Sequence, residues 1–196
     1  LLPIFLDGLN IWWDASRLTA AGNFLNLANT GPVSDGTNAN VTFVPGVVNG
    51  RTVARYNGVT SITTTAAFSP GVNFSAFCVV RSAVIGGPFI GWASAGAANQ
   101  LLVSNAGENI ACFDGLVHPT SNATDYHTNF SLLGVVSSGG TCIFYKNKTI
   151  LGNAIGGVLI AMVNLANFGA VGAFFSAFDC AELVFYTGVS LNGTRL

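Results

Sequence analysis

Asp114, His118, Asp125 and His127 stand within one polar stretch, DGLVHPTSNATDYHTN (114–129), which holds both histidines of the chain and two of its eight acidic residues. Carboxylates and imidazoles gathered in this way are the donor types that hold a divalent metal or a polar ligand. Their spacing matches no established metal site, and long polar connections collect such residues, so the stretch reads first as a solvated loop and second as a ligand site. Aromatic residues offer another chemistry: ring faces stack on the C–H faces of a sugar while neighbouring amides take its hydroxyls. Trp13, Trp92, Tyr126 and Tyr145 are the candidates, with Asn99, Gln100 and Asn129 as polar partners. The candidate ligand-binding set is therefore Trp13, Trp92, Tyr126, Asp114, His118, Asp125 and His127, with no catalytic residue, metal ligand or cofactor assigned.

Other chemistries lack their residues. Glycoside hydrolysis needs two carboxylates projecting to one side, commonly from alternate positions of a strand, and no E-x-D-x-E run exists. Asp179 and Glu182, the nearest carboxylates in sequence, are three apart, and strict alternation sends them to opposite faces of a strand. No G-x-S-x-G elbow or phosphate loop is present, and the glycine pairs at 86–87, 139–140 and 156–157 read as hairpin turns. An enzyme is not expected. Cys78, Cys112, Cys142 and Cys180 lie far apart in apolar runs without a C-x-x-C pair, which gives no metal knuckle; they allow three disulfide pairings, and buried free thiols are the reading preferred to these.

The elements that must position these residues are strands. Short runs rich in Val, Ile, Phe and Thr recur between Gly, Asn and Pro. They predict strands at 9–14, 41–45, 51–56, 61–65, 74–82, 88–93, 100–105, 109–114, 130–138, 141–147 and 181–188. Only SRLTAAGNFL (16–25) has room for a helical turn. The apolar segment AIGGVLIAMVNLANFGAVGAFFSAF (154–178) carries four glycines together with Asn164 and Asn167, so it reads as two or three short buried strands rather than a membrane span. Within GLNIWWDAS, alternation sends Trp12 and Trp13 to opposite faces, so one can enter the core while the other meets solvent, a partner or a ligand.

Length and charge bound the rest. A chain of 196 residues with no linker or repeat reads as one domain, 1–196. Charged residues make up 8% and the net charge is −1, which excludes the electrostatic footprint of a nucleic-acid binder. A mean hydropathy of +0.56 with so little charge points to a surface partly covered by other protein. LLPIFL lacks the basic start of a signal peptide.

Four stretches carry a family likeness. NIWWDAS matches an opening strand of the kind L-W-L-D-A-S at Trp12, Asp14, Ala15 and Ser16. GRTVARYNG follows a G-x-x-V-V-R-F-D-G pattern from Gly50 through Arg55 and Tyr56 to Gly58, and FSAFCVVRS follows F-T-x-F-V-V-F-R. FSAFDCAELVFYTGVSLN echoes F-x-G-x-I-A-E-V-I-V-Y-x-x-x-L-S, with Glu182 and Tyr186 in matching places. In this order they resemble the laminin G-like domains of the concanavalin A-like lectin/glucanase group. The resemblance implies an all-β, two-sheet antiparallel jelly-roll sandwich, concanavalin A-like, with Trp12 in a structural strand and Asp14 capping the turn that follows. Asn57 stands where the family places an aspartate, which removes a charged ligand if that position holds calcium. The family's final segment continues after L-S into a short helix, and with SLNGTRL stopping at Leu196 the resemblance implies a truncated copy.

The function expected is a non-enzymatic structural or interaction module, a bacteriophage virion surface decoration or fibre protein. Its partners would be copies of itself and capsid or fibre proteins. The alternative is a lectin-like module for cell-surface or matrix glycans, extracellular rather than on a virion. Neither nucleic acid nor a membrane span is expected.

Overall fold

The computed structural model describes residues 8–28, 35–82, 89–94, 99–104, 109–114, 117–123, 129–153, 162, 165–171, 174–175 and 177–188. Its strands are β1 (Leu9–Leu18), β2 (Phe24–Asn26), β3 (Gly36–Ala39), β4 (Thr42–Val48), β5 (Arg51–Asn57), β6 (Ser61–Phe68), β7 (Phe74–Ser82), β8 (Phe89–Ser94) and β9 (Gln100–Ser104). They continue with β10 (Asn109–Phe113), β11 (Val117–Ala123), β12 (Ser131–Ser138), β13 (Thr141–Lys146), β14 (Thr149–Asn153), β15 (Leu165–Phe168), β16 (Ala170–Val171), β17 (Phe174–Phe175) and β18 (Ala177–Thr187). The protein is all-β and antiparallel. Its main sheet runs β11-β10-β9-β8-β15-β6-β3-β2-β1-β18-β7-β12-β13-β14, with β5 joined to β18 and β4 to β5, while β16 and β17 pair separately.

This path cannot be flat. Phe185 of β18 meets Phe68 of β6 at 5.0 Å between ring centroids, although β1, β2 and β3 lie between them. At about 4.8 Å per strand, a flat sheet would hold them roughly 19 Å apart. Trp13 of β1 and Trp92 of β8 likewise approach to 5.2 Å. The sheet therefore folds over, and its two halves enclose a core that includes Ile11, Trp13, Tyr56, Phe74, Trp92, Phe168 and Phe185. Burying each large side chain contributes about 1.5–3 kcal/mol. Gly36 makes one of these contacts possible: a Cβ there would lie 2.5 Å from Ile62 and 2.7 Å from the Trp13 ring.

Several expectations change. Trp13 and Trp92 are 1% and 0% exposed, so neither is a ligand platform or an interface residue; the enclosed volume needs their bulk. No helix occurs among the described residues of 16–25, where β1 runs on to Leu18, a turn closes with Gly22 N–H donating to the Thr19 carbonyl, and β2 follows. The polar stretch 114–129 is not all loop, because Val117–Ala123 forms β11 against β10. Pro119 is tolerated there because β11 ends the sheet path and one side of its ladder needs no donor. Within 154–178 the described residues form short strands, as expected, and no described helix is long and apolar enough to cross a membrane. All four cysteines are free and buried. Burial pushes the Cys78 thiol well above its ordinary range, while Cys142 is drawn down by a hydrogen bond with the Cys112 side chain from the other half of the sheet.

Candidate functional site

The site lies on the face of β18 turned away from the core. Along the first part of this strand Phe178 and Cys180 point inward, which leaves Asp179 outside. Ala181 is then an extra residue relative to β7, because Cys180 pairs with Val80 and Glu182 with the next residue, Val79. Such a bulge resets the alternation, so Leu183 and Phe185 point inward and Glu182 joins Asp179 outside. The expectation that Asp179 and Glu182 face opposite sides fails for this reason. The bulge also falls where the neighbour of β18 changes from β5 to β1.

Three charged residues meet just before it. Arg55 of β5, Asp179 of β18 and Arg81 of β7 are direct cross-strand partners in three adjacent strands. Arg55 donates from Nε to Asp179 Oδ1 at 2.8 Å and from Nη2 to Oδ2 at 3.0 Å, while Arg81 Nη2 donates to Oδ2 at 2.8 Å. The Arg81 guanidinium also lies 4.8 Å from the centre of the Phe130 ring, a cation–π contact that fixes its plane. The carboxylate is only 6% exposed, whereas the arginine side chains are 47% and 35% exposed, so the anchor is buried and the forks are open. Burial works against ionisation of Asp179, but hydrogen bonds and charge from Arg55 and Arg81 together outweigh it and hold the carboxyl below its ordinary range. Arg55 moves up, through its hydrogen bond to Asp179 and then that residue's charge.

Beside this row opens a pocket of about 450 Å³, lined by Arg55, Tyr56, Asn57, Arg81, Ser82, Ala177 and Asp179. That is within the roughly 300–1,000 Å³ of small-ligand sites. Asn57 shapes its rim through a turn, its Oδ1 accepting from Val59 N–H at 3.1 Å and its own N–H donating to Thr60 Oγ1 at 3.3 Å.

Past the bulge a second row forms. Asp14 and Glu182 are cross-strand partners, and Arg51 Nη1 lies 3.9 Å and 3.8 Å from their carboxylates. Both acids are already engaged. Asp14 Oδ1 accepts from Ser16 N–H at 2.9 Å and from its hydroxyl at 2.6 Å, local donors as expected but within β1 rather than at a turn, because the strand runs on to Leu18, and Glu182 accepts from Trp12 Nε1–H at 2.9 Å. Beyond that row the face becomes apolar, with Leu9, Trp12, Phe77, Val136, Tyr145 and Tyr186 in a second cluster. The Phe77 ring lies over Gly134, where a Cβ would come within 2.4 Å of it.

The residues singled out from sequence do not converge. Trp13 and Trp92 are in the core, and Tyr145 is buried in the second cluster. Asn99 is buried, its N–H donating to Ser94 Oγ. Asp114 is half-buried just after β10, and His118 stands in β11 opposite Cys112. Asp125, Tyr126 and His127 lie outside the described residues. No metal-holding group of His, Cys, Asp and Glu occurs among the described residues. The row that sequence reading missed was nevertheless signalled: Arg55, Arg81 and Asp179 each interrupt an apolar strand run in a chain with very few charges.

Neither a protein-family model nor a curated protein matches the chain. Solved structures do. Trypanosoma rangeli sialidase in complex with sialic acid superposes with a TM-score of 0.65 at 14% identity, over 97% of this chain and 32% of that one. Domain 4 of AbnA, a GH43 extracellular arabinanase from Geobacillus stearothermophilus in complex with arabinotriose, gives 0.65 at 13% identity and covers 95% of both chains. The botulinum neurotoxin type G receptor binding domain gives 0.66 at 14% identity, over 96% of this chain and 50% of that one. At these identities the likeness is one of fold. The chain spans about a third of the length of the sialidases it matches.

Proposed function

We propose that this chain is a non-catalytic, lectin-like carbohydrate-binding module on a jelly-roll sandwich of the laminin G-like, concanavalin A-like kind. The observation that carries this reading is the pocket beside Arg55, Asp179 and Arg81. Its forks are oriented by a buried carboxylate, so they offer donors to a polyhydroxylated ligand at little cost in side-chain entropy. The whole-domain likeness to an arabinanase domain solved with arabinotriose supports it. Asp14 and Glu182 do not change the non-catalytic reading, because each is committed to a neighbour within its own sheet face.

Assembly on a virion surface rests on composition, namely low charge and high hydropathy. Among the described residues the exposed large apolar side chains are Leu18, Leu25, Val59 and Ile150, which are few, and two apolar clusters are buried. The geometry therefore favours the ligand reading. A glycan array probed with the purified chain tests it: glycans retained by the native protein and lost by Arg81→Gln are expected, and a blank array would overturn the proposal.

A further inference from the structure

We infer that the group taken by this pocket is the carboxylate of an acidic sugar, an inference that rests on the carbohydrate-binding reading above. Charge is the first argument. Two guanidinium groups share one carboxylate, so Asp179 balances one of two positive charges and the other is left at the pocket. One further carboxylate completes the balance.

Donor geometry is the second argument. Asp179 occupies the Nε–Nη2 side of Arg55, and from Arg81 it takes one Nη2 hydrogen. The Nη1 groups of both arginines and the Nε of Arg81 have no acceptor among the described residues. Planar forks that keep adjacent N–H groups pair with a second carboxylate through two parallel bonds, which a single hydroxyl cannot match. The third argument is the lining. Asn57 keeps its Nδ2 donors without a partner among the described residues, so the carboxylate end and a hydroxyl of one sugar meet different groups.

Calorimetric titration of the native chain with sialyllactose, an oligogalacturonate, a sulfated oligosaccharide and neutral arabinotriose tests this. A carboxylated sugar is expected to bind at least about ten-fold more tightly than the neutral one, and to lose that margin as salt rises from about 0.05 M to about 0.5 M. The methyl ester of the same acidic sugar should lose the margin too, a control that needs no protein variant. Arg55→Gln and Arg81→Gln should abolish the preference, Arg81→Lys should lose most of it by replacing a fork with a point charge, and Arg51→Gln should bind as the native chain does. Equal, salt-insensitive binding of acidic and neutral sugars would overturn the inference and leave the carbohydrate reading standing, as would tighter binding of the sulfated sugar than of either carboxylated one. No binding of any sugar would overturn both.

Discussion

Phe178, Cys180, Leu183 and Phe185 line one face of β18, while Asp179, Glu182, Val184 and Tyr186 line the other. The inner face is held by shape. Tyr56 stacks on Phe178 with centroids 4.2 Å apart and planes 6° apart, and Phe185 meets Phe68 and Trp92 edge-on. It tolerates polar atoms with no partner among the described residues: Trp13 Nε1, Trp92 Nε1 and Tyr56 Oη. On the outer face every described carboxylate of the two ionic rows has its donors, because a charge left without them at low exposure is far more costly than an orphaned indole N–H. The difference teaches where specificity is encoded, since one face is fixed by volume and the other by matched charge.

The contrast can be broken most severely from the inner side. Trp13→Ala should cost about 3–5 kcal/mol, against a smaller loss for Trp12→Ala on the outer face, with urea denaturation midpoints as the measure. Equal losses would show that the two faces share one energetic rule. On the outer side, Asp179→Asn should cost about 1–3 kcal/mol, less than the core change because both arginines retain water. Its effect depends on pH. The native carboxyl is held below its ordinary value, so its stabilisation is present above the unfolded value of about 3.9 and is lost as pH falls through the native value. The gap between native chain and variant should therefore close below about pH 4, and a gap that stays constant would refute the ionic anchor. The smallest effect sharpens the inner rule: Tyr56→Phe removes a hydroxyl without a partner and should be neutral or stabilising by up to about 1 kcal/mol in thermal melts.

Most long strands were legible because alternation and turn residues mark them, as at Phe74–Ser82 and Ser131–Ser138. The short strands β2, β3 and β14–β17 were less so, since two to five residues make no reliable period. Trp13 was misjudged because alternation tells which face a residue takes but not what lies above that face, and here both faces are covered. Arg55 and Arg81 are 124 and 98 residues from Asp179, and only the register of three strands joins them.

Ala181 carries a consequence for comparing this chain with any relative. It works as a frame shift written in space rather than in codons: one residue more or fewer exchanges the inside and outside of everything on one side of it. Removing Ala181 would drive either Asp179 or Glu182 toward the aromatic core. An ungapped alignment through this strand would match a ligand-facing position of one protein to a core position of another, so the insertion is a better landmark for tracing descent than the charges that flank it.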